Sequence, residues 1–405
     1  MAKEITNVYG KEILDSRGKK ALEVFVCSYE QVASFQVPSG ASTGSSEALE
    51  LRDADGGMQK AISIIESIIK PRLLGMDVTS QIEIDKLLLL LDSTEQKTNL
   101  GGNTMIGVSV ACAKLGAILS NLKTFEYLRT LKDIKPDRAQ PLLFVNLING
   151  GKHAGPNSKL AFQEYHIIPF VDSVKEALEI TEKVADVVER LLSEKGMLLG
   201  KGDEGGFVVP FSDVLLPFHI LKEACDIAGV SNQVRLSVDV AASSFYDSEK
   251  KEYKVGEEML SKEQMFDKYG EMIIRFDVTS IEDPFNEDDL VSFAELQKQH
   301  KDVNIVGDDL TVTNKNKILK AVENESIKSV IIKPNQIGTL TETLEAMKVA
   351  KENGINLIVS HRSGETMDDF IADLAVAFGV YGMKLGSPRA KERKVKYDRL
   401  VSILS

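Results

Sequence analysis

Six ionisable residues recur through the second half of the chain: Asp239, Glu282, Asp308, Lys333, His361 and Lys384. Each stands at or just past the end of a short apolar, β-branched run. After a first gap of 43 residues the spacings are 26, 25, 28 and 23, each close to one strand–helix unit. In a (β/α)8 barrel the C-terminal ends of the strands converge on one face, where active sites are built. Taken singly, an Asp after a strand caps the next helix, a lone His is a hydrogen-bonded side chain and a Lys is solvated. Six such groups at six strand ends point to one cavity.

Three carboxylates at a single barrel mouth repel one another unless a cation neutralises them. Asp239, Glu282 and Asp308 offer hard oxygen, with no Cys nearby, so Mg2+ is the natural choice. Lys333 precedes Pro334, which disfavours the helical region and keeps the lysine extended. Beside a divalent ion and Lys384, its amine is expected to lose basicity and to serve as a general base. Glycine-rich loops supply further groups: Glu204 within Gly200-Lys-Gly-Asp-Glu-Gly-Gly-Phe207, and His153 within Asn149-Gly-Gly-Lys-His-Ala-Gly155. Glu164, after Gln163, is expected to share a proton with Glu204, raising one of the two pKa values. The segment Pro38–Gly44 lacks the P-loop frame and reads equally as a lid or as an ordinary turn.

These residues need elements to hold them. Residues 1–37 alternate in short pieces, such as Leu22, Val24 and Val26 against Glu23 and Phe25, which predicts a small antiparallel sheet. From Ala61 to Leu131 the periodicity is helical. The polar run Lys132-Asp-Ile-Lys-Pro-Asp-Arg138 separates an N-terminal α+β lid or capping domain, 1–135, from a barrel domain, 136–405. A helix is predicted over Ser173–Lys195. Strand-like runs follow at 235–240, 278–281, 303–306, 329–332, 356–359 and 381–384, mostly separated by helix-length segments, which predicts parallel α/β organisation.

The chain has 405 residues, with 49 Lys and Arg against 61 Asp and Glu, a formal charge of −12. No long basic run is present, so nucleic acid and anionic membranes are excluded as expected partners. Three dispersed cysteines suggest a reducing compartment. With no apolar leader and no stretch near the length of a membrane span, the expectation is a soluble, cytoplasmic protein.

Pro38-Ser-Gly-Ala-Ser-Thr-Gly44 with Glu47–Asp53, Asn149–Ala154, Gln163-Glu164, Gly202–Phe207, Ser280–Phe285, Gly307–Asn314, Lys333–Gly338, Ser360–Thr366, Ile371–Val376 and Lys384-Leu-Gly together resemble the enolase family, in order and over nearly the whole chain. The resemblance implies an N-terminal α+β domain and a barrel whose first units depart from regular β/α order. It implies magnesium-dependent dehydration of 2-phosphoglycerate to phosphoenolpyruvate by a homodimer or higher homo-oligomer. Asp239, Glu282 and Asp308 would hold the first Mg2+, and Ser42 a second that forms with substrate. Lys333 would be the base and Glu204, assisted by Glu164 and Gln163, the acid. Arg362 and Ser363 would hold the phosphate and Lys384 the carboxylate side, with His153 and His361 lining the pocket.

The chain departs from the family pattern at Lys19-Lys20-Ala21, near the expected subunit contact, at Ser244, where Glu is usual, and at Leu290, where Trp is usual. None is an assigned catalytic position. Two other readings stay open on the residues alone: a different carbon-acid reaction on a similar barrel, and a non-catalytic scaffold with the same fold.

Overall fold

The N-terminal alternation folds as read. Asn7–Leu14, Lys20–Ser28 and Gln31–Val37 form an antiparallel sheet in which each strand pairs with the next. The computed structural model describes residues 3–41, 44–155 and 158–405; Ser42 therefore lies outside the described residues. The buried sheet face carries Val24, Val26, Phe35 and Val37, and helix Gly102–Leu119 lies across it. Small residues let that helix come close: a Cβ on Gly107 would meet Val24 Cγ2 at 2.4 Å. This 18-residue helix has the apolarity of a membrane span, but it is buried on nearly every face.

The second unit is a closed barrel of eight strands: Leu142–Asn149, Glu164–Pro169, Val234–Asp239, Val278–Glu282, Asn304–Gly307, Ser329–Ile332, Asn356–Ser360 and Gly382–Lys384. The eighth strand pairs with the first in parallel and closes the ring. From the third strand onward all neighbours are parallel, as the spacing of the apolar runs predicts. The first two strands carry no clear alternation and are not legible in the sequence. The second strand is antiparallel to both its neighbours. The reason is the connection: a parallel return needs a crossover of helical length, and among the described residues between Asn149 and Glu164 there is one short 3-10 turn, Gly151–His153.

Helices Val174–Glu194 and Leu216–Ala228 complete the irregular opening, and Lys262–Phe276, Leu290–Gln299, Lys315–Glu323, Leu340–Glu352, Phe370–Phe378 and Lys391–Leu404 wrap the rest. A small cluster of Leu142, Phe144, Ile168, Val306, Ile331 and Ile358 fills the barrel interior, separate from the main core beneath the helices. The two units are joined close to the barrel mouth. Ser39 and Gly364 exchange backbone hydrogen bonds of 2.9 and 2.8 Å, and Asn335 Nδ2 donates to the carbonyl of Pro38 at 3.1 Å.

Candidate active site

The six strand-end groups meet. Asp239, Glu282 and Lys384 end the third, fourth and eighth strands, while Asp308, Lys333 and His361 follow immediately on the fifth, sixth and seventh. His153, Gln163, Glu164, Glu204, Asp239, Lys333, His361, Arg362, Ser363 and Lys384 line one small cavity. Glu282 and Asp308 reach its edge through the two lysines.

Lys384 is the hub. Its Nζ lies 2.6 Å from Asp239 Oδ2, 2.8 Å from Glu282 Oε1 and 3.1 Å from Glu164 Oε1, and all four side chains are buried. Lys333 makes a short ion pair with Asp308, whose other oxygen accepts from Gln336 Nε2 at 3.0 Å. On the opposite wall Glu204 lies 3.2 Å from His153 Nδ1 and 3.3 Å from His361 Nε2, and accepts from Asn146 Nδ2 at 3.2 Å. Arg362 turns toward the N-terminal unit, where both its terminal nitrogens reach Glu47 Oε2 at 3.0 Å.

Two family models match the chain: the enolase N-terminal domain over residues 5–128 and the enolase C-terminal TIM barrel domain over 138–405. An enolase of Methanopyrus kandleri is 40% identical, aligned over 98% of this chain and 95% of its own length. An enolase of Thermococcus kodakarensis is 41% identical over 99% of this chain and 94% of its own. The chain belongs to the enolase family.

Enolases are hydro-lyases, and the charge at this barrel mouth is in keeping with one that must hold an anion. Burial and the neighbouring Asp239 push the Glu282 carboxyl well above the usual range, against the pull of Lys384. Burial also raises Asp239. Burial acts against Asp308 too, but Lys333 and Lys384 outweigh it and hold that carboxyl low. Lys384 is raised well above an ordinary lysine: burial opposes the charge, yet Asp239, Glu164 and Glu282 prevail. The strand-end carboxylates Asp239, Glu282 and Asp308 offer hard oxygen alone. That set fits a divalent cation.

Among the described residues, the ligand atoms of His153, Glu164 and Glu204 lie within 4.8 Å of one another, as do those of Asp283, Asp308 and Asp309. Asp239, Glu282 and Asp308 form no such group here, because Lys384 holds the first two and Lys333 with Gln336 the third.

The expected loss of Lys333 basicity belongs to a site that holds a divalent ion; in its pair with Asp308, burial, Arg362 and Lys384 lower the amine but the Asp308 contact outweighs them. One expectation about protonation needs correction: neither member of the Glu164–Glu204 pair is raised. Burial and mutual repulsion act in that direction, yet Lys384 and His166 bring Glu164 to about 2, and His153 and His361 hold Glu204 well below the usual range. Glu204 in turn raises His153 against its burial.

The structure also adds residues that spacing does not reveal. His166, buried within the second strand, bridges Glu164 Oε2 at 3.0 Å and Ser237 Oγ at 3.1 Å. Glu47, Asn335 and Gln336 belong to motifs of the family likeness, but nothing in their spacing announces contact with Arg362 or Asp308.

Proposed function

We propose that the chain removes water reversibly from 2-phosphoglycerate to give phosphoenolpyruvate, with Lys333 as base and Glu204 as acid. What carries this reading is the placing of both groups, with Arg362, Ser363 and Lys384, around one buried cavity. Lys333 takes the proton at C2, and the electron pair left behind moves into the adjacent carboxylate beside the Lys384 ammonium. That pair then forms the C2–C3 double bond as the C3–O bond breaks. Hydroxide leaves poorly, so Glu204 delivers a proton and water departs. His153 sits 3.2 Å away as its proton reserve, and Gln163, Glu164 and His361 complete the acid wall. Arg362 and Ser363 hold the phosphate, for which a guanidinium fork and a hydroxyl are suited donors.

Asp239, Glu282 and Asp308 would hold one Mg2+, and Ser42, on the lid segment of the capping unit 1–135, a second that forms with substrate. Bound ions there would offset the negative charge that builds on the substrate carboxylate. The family likeness further supports a homodimer or larger homo-oligomer acting in the cytoplasm on a small-molecule substrate.

The test is direct. Purified protein given 2-phosphoglycerate and Mg2+ should develop the absorbance of phosphoenolpyruvate, and EDTA should stop it. No absorbance change with metal present would overturn the assignment.

A further inference from the structure

Arg393 lies in the last helix, Lys391–Leu404, outside the cavity lining, and is 0% exposed. A buried guanidinium carries a heavy desolvation penalty unless its donors are well placed. Among the described residues, none of its hydrogen bonds goes to a carboxylate. Nη1 donates to the carbonyl of Arg362 at 2.6 Å, and Nη2 donates to the carbonyls of Ser363 at 2.8 Å and Asp203 at 3.2 Å.

Those three carbonyls belong to two loops. One carries Arg362 and Ser363; the other carries Glu204, the residue after Asp203. The loops come from the seventh strand and from the irregular opening of the barrel, and no ladder pairing joins them. The surrounding contacts tie each loop to the same C-terminal segment: the Glu204 carbonyl accepts from Ser387 N, just before the helix, at 2.9 Å, and Lys396 within the helix donates to the carbonyl of Thr366 at 2.6 Å.

We propose that Arg393 is a positioning residue that sets the distance between the acid, Glu204, and the phosphate-holding pair, Arg362 and Ser363. This rests on the dehydratase reading above. The planar fork matters, because one rigid group must aim donors at two loops at once, which a lysine ammonium on a flexible stem does poorly. Lys333 stands on a different strand and is not held by this fork. Arg393 should therefore govern C3–O cleavage more than proton removal at C2.

The experiment compares Arg393→Lys and Arg393→Ala with wild type by two readouts: phosphoenolpyruvate formation, and exchange of the C2 hydrogen of 2-phosphoglycerate with deuterium from solvent. Displacing a reacting group by about 1 Å reduces rate by about 10²-fold. Both variants should lose phosphoenolpyruvate formation on that order while exchange falls less than tenfold, and guanidinium chloride at low concentration should partly restore Arg393→Ala. A proportional loss of both activities, or no loss of either, overturns the proposal. Should Arg393→Ala fail to fold, as judged by circular dichroism, Arg393→Lys decides by the same ratio. Wild type without activity would instead overturn the dehydratase reading, so the two failures are distinct.

Discussion

Glu164 opens its strand and Asp239 closes another, yet the two are direct partners across the ladder. The antiparallel second strand makes this possible, because its first residue lies at the end of the barrel where its neighbours finish. Asp239 in turn pairs with Glu282 on the fourth strand. Three carboxylates therefore stand side by side around the Lys384 ammonium, and the reversed strand brings Glu164 to a mouth that a regular barrel would have denied it.

Replacing the base gives the sharpest test. Lys333→Ala should lower turnover by roughly 10²–10⁴-fold, the usual worth of a positioned acid or base. Wild-type turnover in this variant, measured by phosphoenolpyruvate absorbance, would remove Lys333 from the mechanism.

Metal dependence should follow the strand-end carboxylates. Asp239→Asn and Glu282→Gln each remove a charge from the set, and Mg2+ affinity measured by calorimetry should drop by at least roughly 10–100-fold, the loss seen even for outer partners of a metal site. Unchanged affinity in both would place the ion elsewhere.

Glu47 and Arg362 form a buried pair across the two units, 7% and 3% exposed in their side chains. Deleting one partner of such a pair leaves an unmatched buried charge and costs about 3–5 kcal/mol. Glu47→Ala should show that loss in urea unfolding, together with a raised KM for 2-phosphoglycerate, since Arg362 would no longer be held. Normal stability would mean that Arg362 finds another acceptor.

Glu365 and Lys396 give a pH-dependent contribution away from the carboxylate cluster. Their atoms lie 2.6 Å apart and both side chains are buried. Burial works to raise the Glu365 carboxyl, but Lys396 and Arg393 prevail and hold it below its ordinary value. A depressed folded-state pKa stabilises above the unfolded value of about 4.3, and the gain is lost as pH falls through the lower folded value. Glu365→Gln should therefore be less stable than wild type at pH 7, and the difference should shrink below about pH 4. A difference independent of pH would exclude the ion pair as its source.

Much of this was written in the order of residues. The regular spacing of Glu282, Asp308, Lys333, His361 and Lys384 followed from repeating strand–helix units, and a repeat of that kind obliges its strand ends to meet. The alternation at Leu22, Val24 and Val26 likewise dictated the first sheet, since period two buries one face of a strand. Both patterns are local, so one sequence suffices to read them. The strands Leu142–Asn149 and Glu164–Pro169 are buried along their whole length and show no alternation to read.

What folding alone decided were distances between groups with no periodic relation. Which of Glu164, Glu204 and His153 keeps a proton depends on separations of a few ångströms, because charge interactions in a buried site rise steeply as groups approach. Arg393 shows the same limit: near the end of the chain it looks like one more basic residue of a surface helix. Only the packing of that helix against two distant loops turns it inward, onto the carbonyls beside the acid and the phosphate-holding pair.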